Sequence, residues 1–389
     1  MINSKLAQWN IRNQRIFVRA DLNVPITNEK ITSDFRLQSI LPTIDFIINH
    51  HGSIVLATHI GRPKNKEPEL STKILLPWLQ EHGYTIRFVE DFTKIAHEKI
   101  VPQEIILIEN LRFFPGEKNG DPFFAKQLAR TAQYYVNDAF GIIHDNDTSV
   151  TLLAYEFSEN RRSIGFLMEK ELQELHILKN DPQRPFIAIL GGGKIEDKIP
   201  LITSLLNKVD GLLLCPALCF SFLKALSQPV GKSLVNDNLI ETCKKIMLKA
   251  ENNNIQYLFP VDYQVAYDSV NGPLTIVQAT EFPNNAFGIS IGPKTITQFT
   301  TEINHAKTIF LNCAMGFADR PETRESSKRL IDVMAQSSAT TIIAGGDSVD
   351  IALSTKHYSS IDHLSTGGGA ALAYLSDALL PGLAAFEDE

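Results

Sequence analysis

Short, largely apolar runs alternate along the chain with amphipathic stretches, and each run ends in a polar or glycine-rich loop. Apolar runs of four or five residues are typical of strands buried on both faces, whereas apolar positions three or four apart are typical of helices. Strands that alternate with helices predict an α/β fold in which parallel strands are joined by right-handed crossovers. In the first half of the chain the runs are 15–19, 53–57, 104–108 and 134–136.

The same alternation restarts after residue 185, beyond a stretch at 166–172 that predicts a helix and a proline-containing break at 180–185. A chain of 389 residues is longer than one typical core requires, so the restart predicts two domains. The runs of the second half are 186–190, 211–214, 257–259, 308–311 and 341–343.

Charged and hydrogen-bonding side chains follow the runs of the first half, at the predicted carboxyl ends of strands. Parallel sheets bind ligands at that edge, and guanidinium groups suit phosphate or carboxylate because they form two parallel hydrogen bonds. A lone arginine on a loop is usually solvated, and a lone Asp or Asn usually serves its own turn. Recurrence after successive strands favours a single anion site instead. Its candidate residues are Asp21, Asn23, Arg36, His59, Arg62 and Arg112.

The loops of the second half are rich in glycine and suit a nucleotide. Glycine turns before helices offer backbone N–H groups to phosphate, and such turns occur at 191–193, 345–346 and 367–369. Lys194 and Lys198 are four apart, which predicts that they share one face of a helix. Asp347 is a candidate magnesium ligand, because magnesium favours a carboxylate combined with nucleotide phosphate. The alternative is a plain glycine turn with solvated lysines, and the Walker A spacing is absent.

Composition and charge favour a soluble globular protein over a nucleic-acid-binding or membrane protein. Hydrophobic residues make up 44% of the chain and charged residues 21%, as in ordinary soluble proteins. The net charge of −7 argues against general binding to nucleic acid or to an anionic membrane. The first 15 residues lack the apolar core of a signal peptide and no apolar run is long enough to span a membrane, so we expect a cytoplasmic protein.

The four cysteines are too few for a disulfide scaffold. Cys215 and Cys219 have a spacing that could suit a metal, but no second Cys/His pair lies at zinc spacing. The sequence therefore favours buried thiols.

One domain that holds an anion and one that holds a nucleotide together indicate phosphoryl transfer. This chemistry needs in-line positioning and neutralisation of charge more than it needs a covalent intermediate. A cleft that closes would exclude water, which otherwise hydrolyses the phosphoryl donor.

The motifs resemble those of the phosphoglycerate kinase family through nearly the whole chain. The most specific match is RIFVRADLNVP at 15–25. Further matches are SDFR at 33–36, HIGRP at 59–63, ENLRF at 109–113, NDAFG at 137–141, GGK at 192–194 with Lys198, GPK at 292–294, GGDS at 345–348 and STGGG at 365–369.

The resemblance implies reversible phosphoryl transfer in glycolysis, from 1,3-bisphosphoglycerate to ADP, giving 3-phosphoglycerate and MgATP. It implies an α/β fold of two Rossmann-like domains, each a parallel sheet flanked by helices, which face each other across a hinged cleft. Residues 1–165 would bind phosphoglycerate, 166–185 would form the interdomain helix and hinge, and 186–375 would bind the nucleotide. The tail, 376–389, would return to the first domain, and the protein would be a monomer.

The family's roles can be carried over to matching residues. Asp21, Asn23, Arg36, His59, Arg62 and Arg112 would hold the phosphoglycerate. Lys194 would follow the transferring phosphoryl group, and Arg36 with the helix N-termini at Gly345 and Gly368 would stabilise its oxygens. The nucleotide would be held by Lys198, Asn312, Asp319, Gly345, Gly346, Asp347 and Ser348, with Asp347 directing Mg²⁺.

Several positions depart from the family's pattern. Asp145 stands where the family has a phosphate-binding arginine, Cys215-Pro216-Ala217 replaces a glycine-rich turn, and Asp319 replaces a glutamate. These changes leave open an alternative, which is a weakened or inactive binding protein on the same fold. Retention of Arg36 and Lys194 favours the enzyme.

Overall fold

The computed structural model describes residues 2–387, which pack into two compact units. Unit 1 comprises the residues up to Gln173 together with those from Leu379 onward, and unit 2 comprises Glu174–Ala378. Each unit is built around its own parallel sheet. Among the described residues no helix is both long and apolar enough to cross a membrane.

The sheet of unit 1 has the strand order β5-β6-β4-β1-β7-β8, with all neighbours parallel. The four central strands are the predicted apolar runs, and their side chains are almost entirely buried. The strands of this unit are β1 (Arg15–Ala20), β2 (Ile26–Thr27), β3 (Lys30–Ile31), β4 (Ser53–Ala57), β5 (Thr85–Val89), β6 (Glu104–Ile108), β7 (Tyr134–Asp138) and β8 (Arg162–Ile164). The edge strands β5 and β8 were not predicted, because one is largely half-buried and the other has only three residues.

Helices connect these strands and cover the sheet. In the first of them, Leu37, Ile40, Ile44 and Ile47 are fully buried at helical spacing. The helices that begin in this unit are α1 (Phe35–Asn49), α2 (Leu76–Glu81), α3 (Pro115–Lys118), α4 (Pro122–Ala129), α5 (Thr148–Thr151) and α6 (Phe166–Asn180). The last of these, α6, begins in unit 1 and ends in unit 2.

The sheet of unit 2 has the order β11-β10-β9-β15-β16-β17, again all parallel. A separate antiparallel sheet, β13-β12-β14, was not predicted, because its strands do not alternate with helices. The strands are β9 (Phe186–Leu190), β10 (Gly211–Leu214), β11 (Gln256–Leu258), β12 (Asp262–Tyr267), β13 (Leu274–Gln278), β14 (Ala286–Ile291), β15 (Thr308–Asn312), β16 (Thr340–Ile343) and β17 (His363–Leu364).

Seven further helices belong to the described part of unit 2. They are α7 (Ile195–Leu205), α8 (Leu218–Ala225), α9 (Ile240–Asn252), α10 (Pro293–His305), α11 (Glu325–Gln336), α12 (Gly346–Leu353) and α13 (Gly368–Leu375). Three of these begin at the predicted glycine turns: α12 and α13 begin on glycines of their turns, and α7 begins one residue after its turn. All four cysteines are buried free thiols, as the sequence indicated.

Candidate active site

The carboxyl edge of the unit 1 sheet carries the first group of candidate residues. Asp21 follows β1, His59 follows β4, and Arg112 lies in a short 3₁₀ turn after β6. Because β1, β4 and β6 are parallel neighbours, their ends meet at one edge. The sequence predicted this convergence from the order of runs and loops.

Asp21 is the centre of a small charged group at this edge. Its Oδ2 accepts a hydrogen bond of 2.7 Å from Arg36 Nη1, and its Oδ1 lies 3.9 Å from His59 Nε2. Arg36 reaches Asp21 because α1 begins at Phe35, so the guanidinium is carried by the first turn of the helix. The Arg36 side chain is 27% exposed, so one side of it remains open to a ligand.

His59 is almost completely buried, and its pKa lies well below the ordinary value. Burial is the main cause, and the positive charges of Arg19 and Arg112 lower the pKa further. The imidazole is therefore neutral near pH 7. Its Nδ1 is buried and has no hydrogen-bond partner within residues 2–387.

Gly61 links two other candidate residues through its backbone. Its N–H donates to Asn23 Oδ1 at 2.9 Å, and its carbonyl accepts from Arg112 Nη1 at 3.0 Å. The neighbouring Arg62 is exposed, and its side chain makes no hydrogen bond or ion pair with any described residue. Asn23 and Arg112 are thus fixed to one loop, while Arg62 is available to a ligand.

Arg112 is also held by two carboxylates. Its Nη2 lies 3.1 Å from Asp145 Oδ2 and 3.3 Å from Asp147 Oδ2. Lys118 contacts the same two carboxylates. Of the guanidinium nitrogens, Nε alone is buried without a partner in the described part of the chain.

Behind Arg112 lies a buried charge network that the sequence did not reveal. Arg19 is fully buried, donates from Nε to Ser149 Oγ at 2.6 Å, and lies 3.4 Å from Glu117 and 3.9 Å from Asp147. Burial raises the pKa of the Glu117 carboxyl, whereas the charge of Arg19 lowers it. The sequence contained one signal of this network, which is the charge of Arg19 within the apolar run of β1. A buried strand carries a charged side chain only where a partner neutralises it, so a buried partner for Arg19 could have been expected.

In unit 2, Lys194 and Lys198 lie in different environments, and the prediction that they share a helix face is wrong. Lys194 has non-helical φ and ψ because it is the cap residue before α7, and it is exposed. Lys198 lies inside the helix and is 9% exposed; its Nζ donates to Asn312 Oδ1 at the end of β15. Asn312 in turn donates from Nδ2 to the Ala344 carbonyl at 2.7 Å.

The turns before α12 and α13 are in direct contact. Gly345 has φ +107°, a conformation that side chains rarely adopt, and a Cβ on Gly368 would lie 2.5 Å from the Gly345 Cα. Only glycine permits this approach. Two eight-residue helices therefore present their N-terminal N–H groups next to each other.

The candidate metal residue stands alone. Asp347 is exposed in the first turn of α12, and no group of three or more potential ligands occurs among the described His, Cys, Asp and Glu residues. Magnesium is usually held by one or two carboxylates and by substrate phosphates rather than by a protein cage. A single exposed carboxylate fits a Mg²⁺ ion that arrives with a nucleotide. Asp319 is also exposed, and Ser348 is buried behind Asp347.

Unit 2 also contains a mainly apolar cavity of about 390 Å³ beside the first glycine turn. It runs along the loops that follow β9, β10 and β15, and one wall is β14. Its lining comes from segments that are distant in the sequence. The lining includes Gly192, Pro216, Leu234, Phe287, Met315 and Phe317. Its volume suits a small organic ligand such as a nucleoside.

Comparisons with known proteins agree on one family. The family model described as Phosphoglycerate kinase matches residues 6–378. A phosphoglycerate kinase of Nitratiruptor is 38% identical over 379 residues, covering 96% of this chain and 95% of that protein. A cytosolic phosphoglycerate kinase of Nicotiana tabacum is 37% identical and covers 98% of each chain.

Solved structures give the same result. The phosphoglycerate kinase of Coxiella burnetii superposes with a TM-score of 0.87 at 29% identity, covering 99% of both chains. That of Pyrococcus horikoshii gives a TM-score of 0.81 at 27% identity, covering 99% of this chain and 98% of the other.

Proposed function

Because the chain belongs to the phosphoglycerate kinase family, we propose that its two groups of candidate residues bind the two substrates of that reaction. The predicted α/β fold and the predicted activity are confirmed: the chain is an enzyme that transfers a phosphoryl group to or from the carboxyl group of phosphoglycerate. No finding favours the alternative of an inactive binding protein. The proposal concerns which residues do this and how.

Unit 1 is proposed to hold 3-phosphoglycerate or 1,3-bisphosphoglycerate. The main support for this proposal is that Asp21, Arg36 and His59 lie close together at the carboxyl edge of the sheet. The Arg36 guanidinium matches a carboxylate or acyl phosphate, and Arg62 is free to bind the phosphate at the other end of the substrate. Neutral His59 can hydrogen-bond the substrate without adding charge. Asn23 and Arg112 are the remaining proposed substrate ligands, and both are held in place by hydrogen bonds to the Gly61 backbone.

Unit 2 is proposed to hold ADP or ATP. The apolar cavity suits the adenosine, and the exposed Asp319 is the candidate ribose ligand. Lys198, which contacts Asn312, and the turn at Gly345 and Gly346 are the residues proposed to bind the phosphates. Asp347 and Ser348 are the residues that would hold Mg²⁺ and the phosphates, and the ion would neutralise charge on the nucleotide.

The transfer itself needs electrostatic stabilisation more than covalent chemistry. The transferring group spreads negative charge over three oxygens, and preorganised cations and N–H groups stabilise that charge. Lys194 is exposed at the start of α7 and can follow the group. Arg36 and the helix N-termini at Gly345 and Gly368 are proposed to supply the remaining positive charge.

The wider setting is proposed from composition and family. The net charge of −7 and the absence of a spanning helix among the described residues fit a cytoplasmic protein that binds neither nucleic acid nor membrane. A cytosolic relative in Nicotiana tabacum supports the same setting. We propose that the protein acts as a monomer with phosphoglycerate and Mg²⁺–ADP or Mg²⁺–ATP as its partners. The proposed domains remain 1–165 with the tail 376–389, the hinge 166–185, and 186–375.

A coupled assay with 3-phosphoglycerate, ATP and Mg²⁺ tests the residue roles. We expect Lys194→Ala to lower turnover on the order of 10²–10³ with little change in either Michaelis constant, because Lys194 acts on charge that develops during transfer. The matched control is Lys244→Ala, which removes an exposed lysine from α9. Turnover of Lys194→Ala within about threefold of the control would mean that Lys194 is only a solvated lysine.

A further inference from the structure

We propose that the Asp145 carboxylate competes with the phosphate group of the substrate for the Arg112 guanidinium. The ion pair between Asp145 and Arg112 thereby lowers the affinity for phosphoglycerate. The inference rests on the proposed function of unit 1. It makes Asp145 a residue that sets affinity by acting on Arg112 rather than by contact with the reacting atoms. The argument follows from how the guanidinium and the two carboxylates are bound and buried.

The guanidinium of Arg112 already has anionic partners. Nη1 donates to the Gly61 carbonyl, while Nη2 faces Asp145 at 3.1 Å and Asp147 at 3.3 Å. The Arg112 side chain is only 6% exposed, so its charge is neutralised at close range in a largely desolvated place. A phosphate that binds Arg112 must therefore compete with a carboxylate that already pairs with it.

The two carboxylates are not equivalent. Asp147 is completely buried and shared by Arg19, Arg112 and Lys118, so its departure would remove an anionic partner from three cations at once. Asp145 is 30% exposed and contacts Lys118, whose side chain is half exposed. Only Asp145 can exchange its place for a ligand.

Asp145 keeps a partner when it leaves Arg112. Lys118 Nζ lies 3.4 Å from Asp145 Oδ2, and His144 Nε2 lies 3.8 Å from Oδ1. Displacement by a phosphate would thus break the Arg112–Asp145 pair, while the partly exposed Asp145 could keep its existing contact with Lys118. Pairs with an exposed partner change binding by up to roughly fivefold, so Asp145 should weaken binding of phosphoglycerate without abolishing it.

Asp145→Asn tests the proposal, because it removes the charge and keeps the size of the side chain. We expect the dissociation constant for 3-phosphoglycerate, measured by calorimetry at low ionic strength, to fall about fivefold. The Michaelis constant for ATP and the turnover number should stay within about twofold, since neither involves Arg112. The gain should shrink as salt is added, because screening weakens charge repulsion.

Glu98→Gln is the matched control. Glu98 is also a carboxylate paired with an arginine, Arg87, and both side chains are 36% exposed. It lies near Arg15, at the amino end of β1 and thus at the opposite end of the sheet. This variant should bind 3-phosphoglycerate as the wild type does, at every salt concentration.

Three results would overturn the proposal. An unchanged dissociation constant in a folded Asp145→Asn protein would show that Arg112 is equally available with and without the carboxylate. Weaker binding would show that Asp145 instead holds Arg112 in the binding geometry, and Asp145→Glu would then restore affinity. If neither wild type nor variant binds 3-phosphoglycerate while ATP still binds, the proposed substrate site of unit 1 fails, and this inference fails with it.

Discussion

Asp138 should make the stability of unit 1 depend on pH. It ends β7, is fully buried, and accepts hydrogen bonds from Thr43 Oγ1 at 2.6 Å and from the Met168 N–H at 2.7 Å. Thr43 belongs to α1, the helix that carries Arg36, and Met168 belongs to the first turn of α6. The carboxyl group therefore joins a proposed substrate-binding helix to the helix that runs on into unit 2.

The size of the effect follows from the pKa. Burial raises the pKa of the Asp138 carboxyl from 3.8 to about 7, although hydrogen bonds from Thr43 and Met168 lower it. Between these values the folded chain keeps a proton that the unfolded chain has lost, so the free energy of unfolding falls as pH rises. One pKa unit corresponds to about 1.36 kcal/mol, so the fall is at most about 4 kcal/mol in all and about 2.6 kcal/mol between pH 5 and pH 8.

Asp138→Asn removes this titration. The amide keeps the size of the carboxyl group and an oxygen that can accept from the Met168 N–H, but it cannot ionise. We expect the variant to gain stability relative to wild type by up to about 2.6 kcal/mol from pH 5 to pH 8. Both tryptophans, Trp9 and Trp78, lie in unit 1, so tryptophan fluorescence during urea unfolding reports on this unit by itself.

The control for this experiment is Asp91→Asn. Asp91 is exposed, and a hydrogen bond from Thr93 lowers the pKa of its carboxyl, so it is ionised in both states above pH 5. Its removal should leave the pH dependence as in wild type. A difference between Asp138→Asn and wild type that stays constant from pH 5 to pH 8 would refute the assignment of a raised pKa to Asp138.

Two other changes test the packing behind each site. Gly368→Ala would push a methyl group against the Gly345 backbone, so nucleotide affinity should fall at least tenfold by calorimetry while the dissociation constant for 3-phosphoglycerate is unchanged. Arg19→Met leaves Glu117 without its cation and Asp147 with one cation fewer in a dry interior, which should destabilise unit 1 by about 3–5 kcal/mol in urea unfolding. Equal affinity in the first case, or a loss under about 1 kcal/mol in the second, would contradict these structural roles.

The sequence predicted the strand ends better than it predicted the environments of their side chains. The central strands appear in the sequence as apolar runs because both of their faces are buried. The order of these runs was enough to predict that Asp21, His59 and Arg112 lie at one edge of the sheet. The antiparallel sheet β13-β12-β14 was missed because no α-helix separates its strands and because β13 has no buried residue, although β12 and β14 are mostly buried. Periodicity detects burial, and it fails where a strand is only partly covered.

The two lysines of the glycine turn show a second limit. A spacing of four places two residues on one face only if both lie within the helix. Lys194 precedes the first turn, so its side chain points to solvent while Lys198 is drawn to Asn312. Helix ends are set by capping geometry, which a residue pattern locates only to within one or two positions. The two lysines therefore differ in what they can do: the exposed Lys194 can change its position, whereas Lys198 is held by Asn312.

Arg62 and Arg112 show why counting cations does not give affinity. Both follow predicted strands, and both belong to motifs of the family, so the sequence treats them alike. In the folded chain Arg62 is exposed, whereas Arg112 is bound to Asp145, which lies 33 residues away along the sequence. The free energy available to a phosphate depends on the net charge it meets after these partners are included. Under our proposal, Asp145 therefore tunes the substrate site although Arg62 and Arg112 are both kept.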